Sequence, residues 1–202
     1  MAAFISIEGT DGSGKTTLMK ALKSVLQDKP VLFTREPGGT DFGNATRDIL
    51  LHGQKIDPIS EVYLFAATRR QHVVEIIKPA LHKNVSVISD RFLDSSIAYQ
   101  GAGRGVGEKL VEDINRSAVE GLEPDLTIFL DIEPQKELDR VHNIRTDEVN
   151  RLDNEALDFY ERVKGGYDRI IEKTPNRFLV IDASQTEELI QRQALSAIMN
   201  LI

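Results

Sequence analysis

Cysteine is absent from this chain of 202 residues. That absence excludes a disulfide framework, a thiol nucleophile and a cysteine-based zinc site. No apolar run reaches the roughly 18 residues of a membrane span, and no charged stretch followed by an apolar one opens the chain, so we expect no membrane association and a cytoplasmic location. A basic surplus is also missing, because 25 basic residues face 32 acidic ones and leave a net charge of −7. That balance disfavours nucleic acid as a partner but allows a small anion held by a local arginine cluster.

Apolar residues make up 41% of the chain, and short β-rich runs alternate with longer helical patterns. This alternation predicts one α/β domain over residues 1–202, with a five-stranded parallel sheet flanked by helices. The runs are almost wholly apolar, as in strands buried on both faces. The predicted strands are Phe4–Glu8, Val31–Thr34, Val85–Ser89, Leu126–Leu130 and Phe178–Ile181. Ligands of such sheets bind at the carboxyl ends of the strands, where we look for the site.

Helical patterns follow each predicted strand. The predicted helices are Lys15–Leu26, Asn44–Leu51, Ile59–His82, Glu108–Gly121, Pro134–His142, Asn154–Lys173 and Glu187–Leu201. Asp153 and Thr186 precede the last two patterns and are predicted N-caps.

A glycine-rich loop joins the first predicted strand to the first helix. The residues Gly9-Thr10-Asp11-Gly12-Ser13-Gly14-Lys15-Thr16, with Thr17 after them, match G-x-x-x-x-G-K-[ST]. In such a loop, backbone N–H groups surround nucleotide phosphates, the lysine neutralises their charge, and the threonine hydroxyl binds Mg²⁺. We therefore predict an ATP-phosphate site over these nine residues, with Mg²⁺ as cofactor and Thr16 as a metal ligand.

Charged residues follow the second and third strands. Arg35 belongs to Thr34–Thr40, a turn that can present a guanidinium to phosphate, or can be an ordinary surface turn. Asp90 stands where phosphate-loop enzymes place the acid that holds Mg²⁺, and Arg91 can reach a transferring phosphoryl group. A buried Asp–Arg pair is the alternative, and Asp131 after the fourth strand is a rival for the acidic role.

Aromatic and amide side chains are candidates for binding a base. Phe65 and Arg69 are four residues apart on one helix face, where the ring can stack on a base and the guanidinium can bond its edge. Core packing is the alternative for Phe65. Gln100 can pair with a base edge and Tyr99 can pack against a sugar, although by composition residues 94–105 are simply a polar loop.

The segment 143–152 is polar, lacks helical periodicity and lies among Arg140, Arg145 and Arg151. It is interpreted as a lid that closes over phosphates or, equally from its spacing, as an exposed loop. The four histidines show no spacing typical of a metal site. They are His52, His72, His82 and His142, which we expect at the surface or on helices.

Taken together, these stretches resemble the thymidylate kinases, P-loop nucleoside monophosphate kinases that transfer the γ-phosphoryl group of ATP to dTMP. The phosphate loop alone fits many families, but the combination that follows it is far more specific. The matching stretches are residues 9–17, 34–40, 64–72, 90–92, 95–105, 124–131 and 151–167.

The resemblance implies roles for the dTMP site. Thymine would lie against Phe65, with its edge on Arg69 and Gln100, Ser96 nearby and Tyr99 under the deoxyribose. The dTMP phosphate would be held by Arg35, Arg47 and Arg91. The Glu36–Pro37 peptide bond is expected to be cis, as is common in this family.

The resemblance also implies the catalytic residues. Lys15 and Arg91 would act at the phosphates, and Asp11 would approach the 3′-hydroxyl of dTMP or its metal ion. Because Gly12 occupies the loop position where some relatives carry arginine, the remaining guanidinium would come from Arg151 or Arg145 in the lid. Further roles implied for single residues are adenine binding by Arg140 and a metal contact by Glu161, and the family implies a homodimer.

Two other functions remain open from the sequence. The first is a kinase for another nucleoside monophosphate or for a deoxynucleoside, because the sequence does not show that the thymine residues converge. The second is a GTP/GDP-dependent switch, which would require a guanine-reading element such as Asn-Lys-x-Asp that the sequence lacks. A scaffold that has lost catalysis ranks last, since no motif is damaged.

Overall fold

The computed structural model describes residues 2–136 and 157–202. Several predictions fall outside that range and are not addressed by the fold: the lid 143–152, Arg140, Arg145, Arg151 and the cap Asp153. Within the described residues, no helix is long and apolar enough to cross a membrane.

Five parallel strands form one sheet in the order β2-β3-β1-β4-β5, which confirms the predicted architecture. The strands are β1 Phe4–Gly9, β2 Val31–Arg35, β3 Ser86–Asp90, β4 Leu126–Asp131 and β5 Phe178–Asp182. All six residues of central β1 are buried. The switch in strand order around β1 opens a crevice at the carboxyl ends, beside the glycine-rich loop.

Helices cover both faces of the sheet. Their bounds are α1 Lys15–Val25, α2 Asp41–His52, α3 Pro58–His72, α4 Lys78–His82, α5 Leu93–Ser96, α6 Glu108–Val119, α7 Leu157–Lys173 and α8 Glu187–Met199. Ile5 and Ile7 point to the face covered by α1 and α8, whereas Phe4 belongs to a separate apolar cluster with Phe92. Alternation along β1 therefore buries side chains on both faces of the sheet.

Two helix starts differ from the sequence predictions because side chains cap them. Thr40 accepts a hydrogen bond from the Gly43 backbone N–H at 2.9 Å, so α2 begins at Asp41 instead of Asn44. Asp57 accepts from the N–H groups of Ile59 and Ser60, so α3 begins at Pro58. The predicted helix to His82 is continuous but includes a π-helical turn at Val73–Ile77.

The alternative of a polar loop, which composition alone suggests for residues 94–105, does not describe the structure. Helix α5 runs into a π-helical turn at Ile97–Gly103, most of which is buried against α7. Small residues allow this close approach, because a Cβ added at Gly166 would lie 2.9 Å from Ala102 Cβ and 3.0 Å from the Ala98 Cα. The polar side chains that suggested a loop line a pocket instead.

Candidate functional site

The glycine-rich loop adopts the conformation that an anion site requires. Gly12 and Gly14 have positive φ values of 80° and 96°, and α1 begins directly afterwards at Lys15. The first N–H groups of a helix have no partner within the helix and attract anions. Lys15 Nζ donates to the Thr10 carbonyl at 2.6 Å, which holds the ammonium group across the loop.

Arg91 connects the phosphate loop to the neighbouring pocket. Its guanidinium donates to the Gly9 carbonyl at 2.8 Å, to Asp11 Oδ1 at 3.0 Å and to Ser95 Oγ at 3.0 Å. It also lies 5.0 Å from the ring centre of Tyr99, whose hydroxyl donates to Asp11 Oδ2 at 3.2 Å. Burial lowers the pKa of Arg91, but Tyr99, Asp11 and other neighbours outweigh it and raise the pKa well above its ordinary value. The side chain therefore carries a fixed positive charge at this junction.

Asp90 ends β3 beside the start of α1. Its Oδ1 atom is buried and has no hydrogen-bond partner within the described part of the chain. Asp90, Thr16 and Arg35 line one groove next to the loop. An unsatisfied carboxylate oxygen in the same groove as a hydroxyl is a donor set that suits Mg²⁺. Oδ1 of the rival Asp131 also has no hydrogen bond within the described residues, but Lys164 Nζ lies 3.3 Å from it and supplies an opposite charge.

A pocket adjoins the phosphate loop, and Arg91 forms part of its wall. All but one of the predicted dTMP residues line it, and these are Arg47, Phe65, Arg69, Arg91, Ser96, Tyr99 and Gln100. Asp11 of the phosphate loop also belongs to its wall. The exception is Arg35, which faces the groove with Asp90. The pocket therefore combines apolar rings, amide and hydroxyl groups and guanidinium groups next to the phosphate loop.

Positive charge accumulates where an anion would sit. Arg47 NH1 donates to the Pro37 carbonyl at 2.9 Å. Burial and the nearby guanidinium of Arg35 lower the pKa of Arg47, with a smaller contribution from Arg91. Because these cations repel one another, a bound phosphate would relieve unfavourable electrostatics at this end of the pocket.

Arg69 is held by a buried network that the sequence did not reveal. Its Nε donates to Glu36 Oε2 at 2.8 Å, and its NH2 donates to Ser96 Oγ at 3.0 Å. The other Glu36 oxygen lies 2.9 Å from His72 Nδ1, and His72 Nε2 lies 2.7 Å from Thr34 Oγ1. His72 lies on a helix as expected but is fully buried. The Glu36–Pro37 peptide bond is cis, as the resemblance implies.

Glu8 is a second buried acid that sequence reasoning missed. Its carboxylate accepts from the Phe92 N–H at 2.7 Å, from Ser95 Oγ at 2.5 Å and from the Tyr167 hydroxyl at 3.0 Å. Burial, followed by the nearby Asp94 carboxylate, raises the pKa of Glu8 from 4.5 to about 7, against the lowering effect of its hydrogen bonds. Glu8 therefore ties β1 to the segment that carries Arg91.

A second recess flanks the phosphate loop on the side of α8. Gly12, Gly14 and Thr17 contribute to it, together with Gln185 and Gln191. The wall at residues 183–191 was missed by sequence reasoning, because a turn and the start of an amphipathic helix contain no motif. A group attached to phosphates held by the loop would have this recess beside it.

Not every candidate residue reaches these pockets. Glu161 is exposed on α7 and does not line the pocket, the recess or the groove described above. The lid arginines Arg140, Arg145 and Arg151 lie outside the described residues. Among the residues that are described, no group of three or more histidine or acidic side chains forms a metal cluster.

Comparison with known proteins gives concordant results. A family model described as "Thymidylate kinase" matches residues 7–194. The chain is 44% identical to the thymidylate kinase of Staphylococcus haemolyticus (strain JCSC1435) over 203 aligned positions, covering 100% of both chains. It is 46% identical to that of Clostridium novyi (strain NT) over 187 positions, covering 91% of each.

A solved structure shows the same fold. The crystal structure of thymidylate kinase from Ehrlichia chaffeensis superimposes with a TM-score of 0.79 and 35% sequence identity, and the match covers 98% of each chain. The similarity therefore extends through the strands that carry the phosphate loop and the elements that line the pocket.

Proposed function

The chain belongs to the thymidylate kinase family, and from that premise we propose how its residues transfer the γ-phosphoryl group of ATP to dTMP. The family assigns an ATP-dependent nucleoside monophosphate kinase that forms dTDP and ADP. The observation that carries the proposal is the Arg91–Asp11 contact, through which the phosphate loop and the base-sized pocket share a wall.

Repulsion between two polyanions is the main obstacle to this reaction, because the dTMP phosphate is already a nucleophilic anion at neutral pH. Positioning and positive charge therefore matter more than a general base. Lys15 and the loop N–H groups would hold the β- and γ-phosphates of ATP. Arg47 and Arg91, with Arg35 at the edge, would hold the phosphate of dTMP.

The nucleoside end of dTMP would occupy the apolar part of the pocket. Phe65 would face the thymine ring, Tyr99 would pack against the deoxyribose, and Arg69 with Gln100 would bond the base edge. Their common place in one pocket wall supports these assignments. Ser96 would act close to the base, since it already accepts from Arg69.

Magnesium is proposed as the cofactor, and Thr16 and Asp90 would hold it. The buried, unsatisfied Oδ1 of Asp90 and the hydroxyl in the same groove support that assignment. Held there with ATP, the ion would supply positive charge against the negative charge that develops on the phosphates during transfer. A metal role for Glu161 gains no support from its exposed position on α7.

Three further assignments are retained from the resemblance. Arg151 or Arg145 would supply a catalytic guanidinium from the lid, and Arg140 would contact adenine. The recess beside Gln185 supports adenine binding on that side of the loop. A cytoplasmic location is proposed on the same family grounds.

A homodimer is proposed through α2 and α3. These helices pack against each other and expose Phe42, Ile49, Ile59 and Tyr63. Phe42 and Ile49 are seven residues apart, and Ile59 and Tyr63 are four apart, so each pair lies on one helix face. Exposed apolar side chains grouped in this way are typical of an interface.

The proposed dimer is tested with the Tyr63→Glu variant. Light scattering should give the molar mass of a dimer for the wild type and that of a monomer for the variant. A wild-type protein with the molar mass of a monomer would refute the assignment.

The test of the function is an ADP-release assay with ATP, Mg²⁺ and an acceptor panel. The acceptors are dTMP, dUMP, dCMP, dGMP, AMP, UMP and thymidine. We expect a strong preference for dTMP and no turnover of thymidine. Preference for another acceptor would refute the base-site assignments, and tight ATP binding without turnover of any acceptor would refute the kinase mechanism.

A further inference from the structure

The amide of Gln100 is held from behind by a buried acid. Gln100 Nε2 donates to Glu61 Oε1 at 2.9 Å, and the two residues are 2% and 1% exposed. Arg104 Nε lies 3.8 Å from the same Glu61 oxygen and supplies an opposite charge. Gln100 lines the nucleoside pocket, whereas Glu61 does not.

A carboxylate only accepts hydrogen bonds, so Glu61 distinguishes the two ends of an amide that are nearly identical in shape. The NH₂ end of Gln100 is drawn toward α3. The carbonyl oxygen, Oε1, is therefore left as an acceptor on a side chain that borders the pocket. Rotating the amide by half a turn would place its oxygen against the Glu61 carboxylate, which would be repulsive.

The direction of this amide matters because the base-pairing edges of the pyrimidines differ at N3 and at C4. Thymine and uracil carry an N3–H donor, whereas neutral cytosine has an acceptor at N3 and a donor amino group at C4. An amide oxygen complements the N3–H group and repels the bare nitrogen. A buried polar group left without a partner in the wrong complex is strongly disfavoured.

We propose that Glu61 is a positioning residue that fixes the amide orientation of Gln100, and so makes the pocket select a base with an N3–H donor over cytosine. The inference rests on the proposed function, in which Gln100 contacts the base. Glu61 acts without touching the substrate, through a side chain that does.

Glu61→Gln is the direct test, because the replacement has the same shape but can donate as well as accept. Gln100 is then able to turn its NH₂ group toward the pocket. We expect the ratio of kcat/KM for dTMP to that for dCMP to fall by about tenfold or more. The ratio for dTMP to dUMP should stay unchanged, since both bases carry N3–H, and the KM for ATP should also stay unchanged.

Glu112→Gln is the matched control. Glu112 lies on α6 with Lys173 as its ion-pair partner at 3.6 Å, outside the pocket wall. It undergoes the same chemical change, and neither selectivity ratio should move. Thermal unfolding of each variant establishes that it is folded. If Glu61→Gln fails to fold, Glu61→Asp keeps the charge but withdraws the carboxylate from Gln100, and it should lower the same dTMP-to-dCMP ratio.

A double-mutant cycle separates positioning from a general structural effect. In a Gln100→Ala background, Glu61→Gln should produce no further change in the dTMP-to-dCMP ratio. An equal change in both backgrounds would overturn the inference, as would an unchanged ratio in folded Glu61→Gln. A wild-type protein that does not prefer dTMP would instead refute the proposed function, so the two failures are distinguishable.

Discussion

Arg91 donates a hydrogen bond to Asp11 Oδ1 over 3.0 Å, and this contact joins the end of β3 to the phosphate loop. The side chain of Arg91 is only 16% exposed. Its backbone φ of 70° is unusual for a residue with a Cβ atom. A sparsely populated backbone conformation thus places one guanidinium between the phosphate loop and the neighbouring pocket.

Arg91→Ala should therefore lower kcat by about 10³-fold or more, as removal of a charge-stabilising arginine does in other phosphoryl-transfer enzymes. The measurement is ADP release at saturating ATP and dTMP. Arg116→Ala is the control, because Arg116 is 77% exposed and its one ion pair among the described residues is with Asp113 on its own helix. A loss smaller than tenfold in Arg91→Ala would contradict the assigned role.

Asp90→Asn should shift the Mg²⁺ concentration required for half-maximal activity upward by about tenfold or more, since it neutralises the carboxylate assigned to the metal. Asp131→Asn is its counterpart at the end of β4, where the carboxylate faces Lys164. That variant should leave the Mg²⁺ dependence unchanged. A shift confined to Asp131→Asn would transfer the metal role to the rival aspartate.

Glu8 gives stability a specific pH dependence. Its pKa rises from 4.5 to about 7 in the folded protein, so the folded state binds the proton more tightly than the unfolded state. This contribution to stability is fully present below pH 4.5 and is lost as the pH rises through about 7. Glu8→Gln should abolish this pH-dependent loss of unfolding free energy, which is on the order of 3 kcal/mol.

The prediction is checked by urea denaturation at pH 4.5 and pH 8. Relative to the wild type, Glu8→Gln should gain unfolding free energy between the two pH values, because an amide does not titrate. Glu75→Gln, which loses an exposed carboxylate in contact with Gln71, should track the wild type at both. A constant difference between Glu8→Gln and wild type would show that Glu8 does not titrate in this range.

Glu36 is expected to be indispensable for stability. Glu36→Gln would leave the buried guanidinium of Arg69 without its charge partner, which costs about 3 kcal/mol or more. Equilibrium denaturation measures this loss. The control is Glu120→Gln, because Glu120 pairs with Arg70 and Lys78 at the surface, where screening makes ion pairs weak. Equal losses in both variants would refute the special role of the buried network.

Replacing the adjacent glycines of α7, Gly165 and Gly166, by alanine should change the stability of the protein in opposite directions. Gly166→Ala should destabilise the protein by about 1–3 kcal/mol, because the new Cβ meets Ala98 and Ala102 in the core. Gly165→Ala should stabilise it by about 0.5–1 kcal/mol through helix propensity, since its nearest neighbour is the movable end of Arg169. Thermal and urea unfolding test the pair, and stabilisation by both substitutions would contradict the tight packing.

The sheet and the phosphate loop were predictable because their signals are local. Five apolar runs defined the strands, and the glycine spacing defined the loop. The family resemblance then indicated which side chains share the pocket, and only Arg35 lies apart from that wall. The π-helical turn at Ile97–Gly103 was not predictable, because its polar and small residues follow neither the helix nor the strand period.

The buried acids were missed for a different reason. Glu8, Glu36 and Glu61 look like ordinary acidic residues in the sequence, and their partners are distant along the chain. The Glu8–Tyr167 contact spans 159 positions, and the Glu61–Gln100 contact spans 39. Only folding shows that each acid is enclosed and holds a neighbour that borders the pocket.

Glu8 has a consequence for how the two substrates meet. One carboxylate fastens β1, the residues around Arg91 and α7 to a common point inside the core. Because these three elements share one anchor, the spacing between the phosphate loop and the neighbouring pocket depends on a contact inside the core. We therefore expect the distance between the two proposed substrates to be set inside the core, away from the atoms that would react.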